Sequence, residues 1–264
     1  MKSIITIVLI MLITALSAQV VLDERYHTYE EIIQEISELQ ANHPDIVSVH
    51  VIGSTLGADP YQDPIPIYAV KLSNNVGIDE DEPSVMNAGQ CHAEEVLGVE
   101  VVMHMLHEIV ANRMVDPYNV WLDNLEMWFV PTYNPEGLQV VMDGRDITYR
   151  KNQRDNNENG ILDFVVGAGG EIDGVDTNRN YGFNWIHGDP FGVGGPEEWN
   201  DYYRGPGPFS EGGTQAIRNL AEQQHFIYSI NWHSSRTGFF SEKVYYPSNW
   251  AGVHPTPDLA LSQS

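Results

Sequence analysis

Apolar residues recur along the first half of the chain at spacings that change between helical and strand-like periods. Helices are predicted at residues 26–43 and 96–113, and strands at residues 47–52, 64–72 and 84–89. Thr28 is followed three residues later by Glu31, a capping-box pattern that marks the start of the first helix. The acidic stretch at residues 79–83 is predicted as a loop.

The second half continues this alternation around one long polar segment. Residues 125–130 and 226–232 are predicted as strands, and residues 210–223 as a helix. Residues 133–137, Tyr-Asn-Pro-Glu-Gly, form a strong turn signal. Residues 154–202 are polar and glycine-rich with little periodicity, which indicates a surface loop around a functional site. Strands that alternate with helices of this length predict an α/β fold, with helices on the faces of a sheet.

The amino-acid composition narrows the class of partner. The chain has 264 residues, 42% of them hydrophobic, which is enough for one large α/β domain or two small ones. Its 37 acidic residues outnumber the 13 basic ones and give a formal net charge of -24. Nucleic acids and anionic membranes bind to clusters of Lys and Arg. This sequence lacks such clusters, so the composition argues against both as partners.

Residues 1–18 have the pattern of a secretory signal peptide. Lys2 precedes an apolar run at residues 4–16, and the small residues at 17–18 suit cleavage. The alternative is an uncleaved anchor, although the run is short for a membrane span. We therefore expect a secreted or periplasmic protein, residues 19–264, with no stable membrane association after signal cleavage.

Three residues near predicted strand ends form a candidate metal site. His92 and Glu95 lie three apart where a strand gives way to a helix, a spacing that brings both side chains to one side of a first helical turn. His233 follows the strand at residues 226–232, where a lone histidine is more often structural than a ligand. Two imidazoles and one carboxylate, however, are the open ligand set of hydrolytic zinc, with a fourth position for a water whose pKa falls to about 7.

Two arginines extend the candidate site. Arg150 is a fixed positive donor for the oxyanion that develops when a carbonyl is attacked, or else a surface cation. Asn178 and Arg179 lie in a polar, glycine-rich segment, and a guanidinium beside an amide suits the bidentate capture of a terminal carboxylate. The alternative is that both residues shape the loop, since Asn tolerates left-handed turns.

Taken together, these motifs resemble the zinc metallocarboxypeptidases related to pancreatic carboxypeptidases A and B, from about residue 26 to the end of the chain. The shared motifs, in family order, are His-x-x-Glu at 92–95, Asn-Pro-x-Gly at 134–137, Arg-Lys-Asn at 150–152, Asp-x-Asn-Arg-Asn at 176–180, Tyr-Arg-Gly-Pro at 203–206 with Ser210 and Glu211, and His-Ser at 233–234. Their order and family-like spacing make the resemblance specific.

The resemblance implies a mixed, eight-stranded central sheet with helices on both faces, one zinc ion per chain, and action on peptide or protein C-termini. The implied zinc ligands are His92, Glu95 and His233. Arg150 is expected to polarise the scissile carbonyl, and Asn178 with Arg179 to hold the terminal carboxylate of the substrate. We expect a monomer.

Two departures from the family pattern change the expected activity. Glu94 stands where the family usually has Arg, which should weaken binding of anionic peptides or favour basic or shorter ones. The family's general-base Glu and mobile Tyr lie well downstream of the last zinc histidine, and Glu242 and the two tyrosines after it come too soon after His233. We therefore expect a catalytic domain that lacks its C-terminal part, with an incomplete sheet and no effective activity of its own.

Two other functions fit part of the pattern. A zinc amide hydrolase of the deacylase type shares His-x-x-Glu and a distant histidine, but not the anchor formed by Asn178 and Arg179. A non-catalytic peptide-binding or metal-binding domain needs no general base. The expected lack of the downstream general-base Glu therefore leaves this function as an alternative.

A further cation site is suggested within the long polar segment. Asp155, Asn157 and Asn159 place oxygen atoms at alternate positions before a glycine, as in the first half of a calcium loop. Val166 occupies the position at which such loops carry Glu. The alternatives are a calcium site completed by another acid and a plain polar loop.

Overall fold

The computed structural model describes residues 22–58, 61–163, 165–166, 172–182, 185 and 195–234. The predicted signal peptide lies outside these ranges. The helices within them are α1 (Tyr29–Asn42), α2 (Leu97–Ala111), α3 (Tyr118–Leu122), α4 (Pro135–Met142) and α5 (Gly212–Gln224). The strands are β1 (Val47–Ser54), β2 (Pro66–Leu72), β3 (Ser84–Ala88), β4 (Glu126–Val130) and β5 (Tyr228–Asn231).

The strands of the described chain form one mixed sheet in the order β1-β2-β4-β3-β5. β1 pairs antiparallel with β2 and β2 with β4, whereas β3 runs parallel to both β4 and β5. The predicted α/β fold with a mixed sheet is confirmed, with five described strands where the resemblance implies eight. Because β3 and β5 are parallel neighbours, the residues that follow them emerge at the same edge of the sheet.

Alternate residues of β4 divide the core between the two faces of the sheet. Met127 and Phe129 belong to a cluster formed with α1, α2 and α4. Trp128 and Val130 belong to a second cluster, formed with α5. Successive side chains of a strand point to opposite faces, so a strand buried on both sides is apolar throughout. Helices therefore cover both faces, as the sequence predicts.

Helix α1 begins with the predicted capping box. The Thr28 hydroxyl accepts a hydrogen bond from the Glu31 amide at 3.3 Å, and the Glu31 carboxylate accepts one from the Thr28 amide at 2.8 Å. The buried face of the helix carries Ile32, Ile36 and Leu39, which recur at helical spacing. None of the helices in the described ranges is both long and apolar enough to cross a membrane.

The chain between β3 and α2 doubles back before the helix starts. Gln90 has a positive φ of 36°, and α2 begins only after Glu95, so His92 and Glu95 lie in the preceding turn. The expectation that they share a first helical turn is therefore wrong. Close packing explains the path of the chain, since a Cβ on Gly98 would lie 2.6 Å from both the Gln90 amide nitrogen and the Trp232 carbonyl oxygen. The turn itself makes the two side chains converge.

Residues 133–137, predicted as a turn, contain the start of α4. Asn134 is the N-cap, and its side-chain oxygen accepts a hydrogen bond from the Gly137 amide at 3.1 Å. Pro135 occupies the first helical position, where its fixed φ suits the helix and its missing N–H is not needed. Helix α3 carries no sequence signal, because five residues are too few to show a helical period.

Candidate metal centre

His92, Glu95 and His233 converge at the edge of the sheet where β3 and β5 end. One ligand atom from each residue lies within 4.8 Å of the other two. His92 Nδ1 is 3.0 Å from Glu95 Oε1, and His233 Nδ1 is 2.7 Å from Glu95 Oε2. The two imidazole rings are 4.9 Å apart between centroids. The parallel pairing of β3 with β5 produces this convergence, since it brings together Glu95 and His233, which are 138 positions apart.

The donor set fits a zinc ion. Two imidazole nitrogens and a carboxylate are ligands that zinc binds in hydrolytic sites, which leave one coordination position open. His92 Nδ1 is buried and has no hydrogen-bond partner among the described residues, although Glu95 Oε1 is close. A buried nitrogen without a hydrogen bond is destabilising, and a cation between the three groups removes that penalty. Within the described ranges no other group of His, Cys, Asp and Glu side chains converges in this way.

Glu95 is anionic at neutral pH. Burial by itself would raise the pKa of its carboxyl group, but the hydrogen bond from His233 and the close contact with His92 outweigh burial and lower the pKa to about 2. The backbone amide of Ser234 also donates to Glu95 Oε2, at 3.2 Å. A carboxylate held in its charged state can bind a divalent cation without losing a proton.

Asp176 is a second carboxylate of the centre, to which the sequence pattern gives no role. It is fully buried, and its Oδ1 lies 3.2 Å from His92 Nε2. Asp176 Oδ2 accepts a hydrogen bond from Arg150 Nε at 3.0 Å. Burial would raise the pKa of Asp176, but the His92 hydrogen bond and the charges of His92 and Arg150 hold it well below its usual range. A carboxylate on the far nitrogen of a ligating histidine fixes the ring and leaves the other nitrogen for the metal.

Arg150 lies between the metal ligands and two further acids. Its carbonyl accepts a hydrogen bond from the Ala93 amide at 3.0 Å, which attaches it to the turn that carries the first ligand. Nη2 is 2.7 Å from His92 Nε2, and Nη1 is 3.6 Å from Glu94 Oε1. Burial would lower the pKa of Arg150, but the charges of Asp176 and Glu94 outweigh it and raise the pKa. The Glu94 side chain is 2% exposed, so this atypical glutamate is a buried partner of Arg150.

Asn178 and Arg179 lie on a single 3₁₀ turn, Thr177–Arg179. The Arg179 guanidinium lies over the ring of Tyr202, 5.5 Å from its centroid, and the Arg150 guanidinium lies over the same ring at 4.8 Å. The structure therefore brings the two predicted arginines together around one aromatic side chain. Tyr202 directly precedes the Tyr-Arg-Gly-Pro motif, which is the only sequence signal near it.

The loop predicted to bind calcium uses its oxygen atoms for its own hydrogen bonds. Asp155 accepts hydrogen bonds from the amides of Asn159 and Gly160, at 3.2 and 2.7 Å. Asn157 Oδ1 accepts another from the Asn159 amide at 3.0 Å. The side-chain amides of Asn157 and Asn159 donate to Asp163 at 3.0 and 2.6 Å. The acids of the described part of this loop do not converge to a metal-sized group, so calcium binding at Asp155, Asn157 and Asn159 stays a prediction.

Comparison with known proteins finds similarity to carboxypeptidases in both sequence and fold. The profile of the zinc carboxypeptidases matches residues 32–264. A zinc carboxypeptidase of Saccharothrix mutabilis subsp. capreolus is 28% identical over 163 residues, 61% of this chain and 33% of the relative. Carboxypeptidase B of Astacus astacus is 26% identical over 236 residues, 88% of this chain and 67% of the relative. The crystal structure of carboxypeptidase A from Helicoverpa armigera matches with a TM-score of 0.66 at 23% identity, over 80% of this chain and 46% of that one.

The mixed sheet has the carboxypeptidase fold, and the convergence of His92, Glu95 and His233 could hold a metal ion. The chain belongs to the zinc carboxypeptidase family. It spans from about a third to two thirds of the length of these relatives. The family resemblance inferred from the sequence motifs is therefore confirmed.

Proposed function

We propose that this chain forms the metal-binding and substrate-binding part of a zinc-dependent metallocarboxypeptidase, which removes residues from the C-termini of peptides. The convergence of His92, Glu95 and His233 beside two arginines supports this most strongly. A metal centre alone fits many hydrolases. Two cations next to it fit a substrate that presents a free carboxylate close to the bond to be cleaved.

The metal ligands need little rearrangement to bind the ion. Glu95 is already anionic, and the contact of Asp176 with His92 Nε2 directs Nδ1 of that ring toward Glu95. A bound zinc ion would supply a Lewis acid and an activated water. Arg150 donates hydrogen bonds to the carbonyl oxygen of the scissile bond and stabilises the negative charge that develops there. Its hydrogen bond from Nε to Asp176 Oδ2 at 3.0 Å supports this role, because it keeps the guanidinium beside the ligands.

Asn178 and Arg179 hold the terminal carboxylate of the substrate. A guanidinium binds a carboxylate through two parallel hydrogen bonds, and a neighbouring amide adds a third donor. The Asn178 backbone amide donates to Asp176 Oδ1 at 2.9 Å, and the same oxygen contacts His92. One buried acid therefore connects the anchor to the metal ligands. This connection limits the distance between them and favours cleavage near the end of a peptide.

A non-catalytic peptide-binding domain is the second candidate function. Among the described residues, the carboxylates beside the metal centre already have partners there: Glu94, Glu95 and Asp176. A positioned general base contributes about 10²–10⁴ in rate. We therefore expect the chain as given to bind zinc and peptide C-termini but to hydrolyse peptides slowly. A zinc deacylase is less well supported, because it has no use for a carboxylate anchor.

A peptide acid and its C-terminal amide test the substrate class, because they differ only in the group that Arg179 binds. We expect the zinc-loaded chain to bind the acid about tenfold more tightly than the amide, since one charge-assisted contact is worth about 1.5–3 kcal/mol. Arg179→Ala should remove this preference, and Arg179→Lys should restore only part of it. Equal binding of acid and amide by the unaltered chain contradicts a carboxypeptidase.

Metal analysis tests the centre itself. The unaltered chain should bind one zinc ion, and His92→Ala and His233→Ala should each lose it while circular dichroism stays unchanged. His104→Ala is a matched control, because His104 is an exposed histidine of α2 away from the three ligands. Rapid hydrolysis of a chromogenic C-terminal substrate by the unaltered chain contradicts the slow turnover proposed here.

We propose further that residues 1–18 are a cleaved signal and that residues 19–264 act outside the cytoplasm as a monomer. The charged start, the apolar run and the small residues before position 19 support cleavage there. Amino-terminal sequencing of the exported protein should begin at residue 19, and sedimentation should give the mass of one chain. Recovery of a membrane-bound chain that retains residues 1–18 contradicts this proposal.

A further inference from the structure

Tyr202 lies against both arginines of the candidate site. The guanidinium carbon of Arg150 is 4.8 Å from the centre of the Tyr202 ring, and that of Arg179 is 5.5 Å from it. Both distances are within the approach of about 6 Å at which the face of an aromatic ring attracts a cation. One ring that contacts both cations offsets part of their mutual repulsion and restricts their separation.

Backbone hydrogen bonds hold Tyr202 in place. Its amide donates to Asn200 Oδ1 at 2.8 Å, and its carbonyl accepts from the Gly195 amide at 2.9 Å. The carbonyl of the next residue, Tyr203, accepts from the Asp176 amide at 2.8 Å. The loop that carries the ring is therefore tied to the segment that carries the carboxylate anchor. Tyr202 itself remains 47% exposed, so a substrate can approach it.

The cation–π contacts of Tyr202 do not themselves use the hydrogen-bond donors of the two arginines. The N–H groups of Arg lie in the plane of the group, so a ring above that plane does not compete for them. Arg150 uses its Nε on Asp176, and Arg179 Nη1 donates to the carbonyl of Asn178 at 3.3 Å. Tyr202 can thus orient both cations through its ring, without a charged group that would compete with a substrate carboxylate for Arg179.

We propose that Tyr202 is a positioning residue that sets the separation of Arg150 and Arg179 for substrate recognition; this role rests on the function proposed above. The last carboxylate and the last peptide carbonyl of a substrate are separated by one residue. If Arg150 and Arg179 are held at a fixed separation, they favour a substrate whose last peptide carbonyl reaches Arg150 while its terminal carboxylate reaches Arg179. Release of a dipeptide requires a carbonyl about 3.3–3.6 Å further from the carboxylate. Tyr202 therefore favours release of single residues.

Binding of matched peptides to the zinc-loaded full chain tests this role by calorimetry. Tyr202→Leu removes the aromatic face but keeps apolar bulk, whereas Tyr202→Phe keeps the face. We expect Tyr202→Leu to weaken binding of the peptide acid about tenfold and to weaken binding of the amide much less, since the amide keeps only the carbonyl contact with Arg150. Tyr202→Phe should bind both like the unaltered chain. Trp199→Leu, which removes another exposed aromatic side chain of the same loop, is the control and should bind both normally.

The outcomes separate this role from the function on which it rests. If Arg179→Ala loses the preference for the acid and Tyr202→Leu keeps it, the anchor stands and the role of Tyr202 is wrong. If Tyr202→Leu weakens binding of acid and amide equally, the ring supports only the loop, and the role is also wrong. If Arg179→Ala keeps the preference, the carboxylate anchor fails and the role of Tyr202 fails with it. Thermal unfolding of each variant checks that the chain is folded.

Discussion

His92 and Asp176 meet across 84 positions of the sequence, with the histidine Nε2 3.2 Å from Oδ1 of the buried carboxylate. This contact joins the turn after β3 to the segment that carries Arg179. Asp176 does not belong to the group of three candidate ligands, so we expect it to influence a bound metal only through the orientation of the imidazole.

Asp176→Asn should therefore weaken zinc binding by about 10–100-fold while the ligands stay in place. The amide keeps the volume of the side chain but loses the charge that holds the imidazole. Competition with a chromophoric chelator measures the affinity. Asp163→Asn, in the polar loop, is a control that should bind zinc normally. An unchanged affinity in Asp176→Asn would show that the contact has no effect on the metal.

Lys71 and Glu126 form a buried ion pair, with Nζ 2.5 Å from Oε1. Lys71→Met leaves the glutamate charge buried without its partner and should lower the free energy of unfolding by about 3–5 kcal/mol. Combining Lys71→Met with Glu126→Gln removes both charges and should recover most of that loss. Urea denaturation of the single and double variants measures the difference. A double variant as unstable as Lys71→Met contradicts this explanation.

His27 joins α1 to α2 through two glutamates. Its Nδ1 is 2.8 Å from Glu100 Oε2, and its Nε2 is 3.1 Å from Glu35 Oε1, which lies on α1. The hydrogen bond with Glu100, helped by the charges of both glutamates, outweighs burial and raises the pKa of His27 from 6.5 to about 9. The stabilisation is therefore fully present below pH 6.5 and is lost as the pH rises through about 9.

Denaturant unfolding across this pH range tests the link. The difference in unfolding free energy between the unaltered chain and His27→Gln should fall by about 2 kcal/mol from low to high pH, less than the full shift because the pair is partly exposed. His104→Gln, on the exposed side of α2, should show no such dependence. If the free energy of unfolding changes with pH equally in the unaltered chain and in His27→Gln, the ion pair of His27 does not cause the pH dependence.

Gly98 lies where α2 passes the ends of β3 and β5. A Cβ at this position would lie 2.6 Å from the Gln90 amide nitrogen and from the Trp232 carbonyl oxygen. Gly98→Ala should push apart the segments that carry the two histidine ligands, lowering stability by about 1–3 kcal/mol and weakening zinc binding. Gly77→Ala is the matched control, because no atom lies within 4 Å of its added Cβ. If Gly98→Ala binds zinc with normal affinity, displacement of these two segments does not disturb the metal centre, and the prediction is wrong.

The convergence of the three candidate ligands could be predicted because strand periodicity shows where strands end. His92 and His233 each follow an apolar run, and parallel neighbours bring such positions to one edge of a sheet. Glu95 was indicated by its spacing from His92, although a turn rather than a helix brings the two together. Helical and extended turns can bring residues three apart to the same point, so the convergence of the side chains was predicted from the wrong local geometry.

Asp176 and Tyr202 could not be assigned in the same way. Both lie in the segment at 154–202, where positions depend on backbone contacts between distant residues, such as the one from Asp176 to Tyr203. Local spacing carries no information on these contacts. The start of α4 was missed for another reason: Asn-Pro marks both turns and helix N-termini, and only the burial of the apolar residues that follow distinguishes them.

β5 lies at the margin of the sheet and leads to the last candidate ligand, His233. In the described chain it pairs with β3 alone, over four residue pairs, and most of its residues are exposed. An ion shared by the turn after β3 and the residue after β5 would act as a cross-link between two strands. Zinc should then slow hydrogen exchange at the β5 amides more than at those of β1, the opposite margin. Zinc binding would then stabilise the pairing of β5 with the sheet as well as supply the chemistry at the end of this strand.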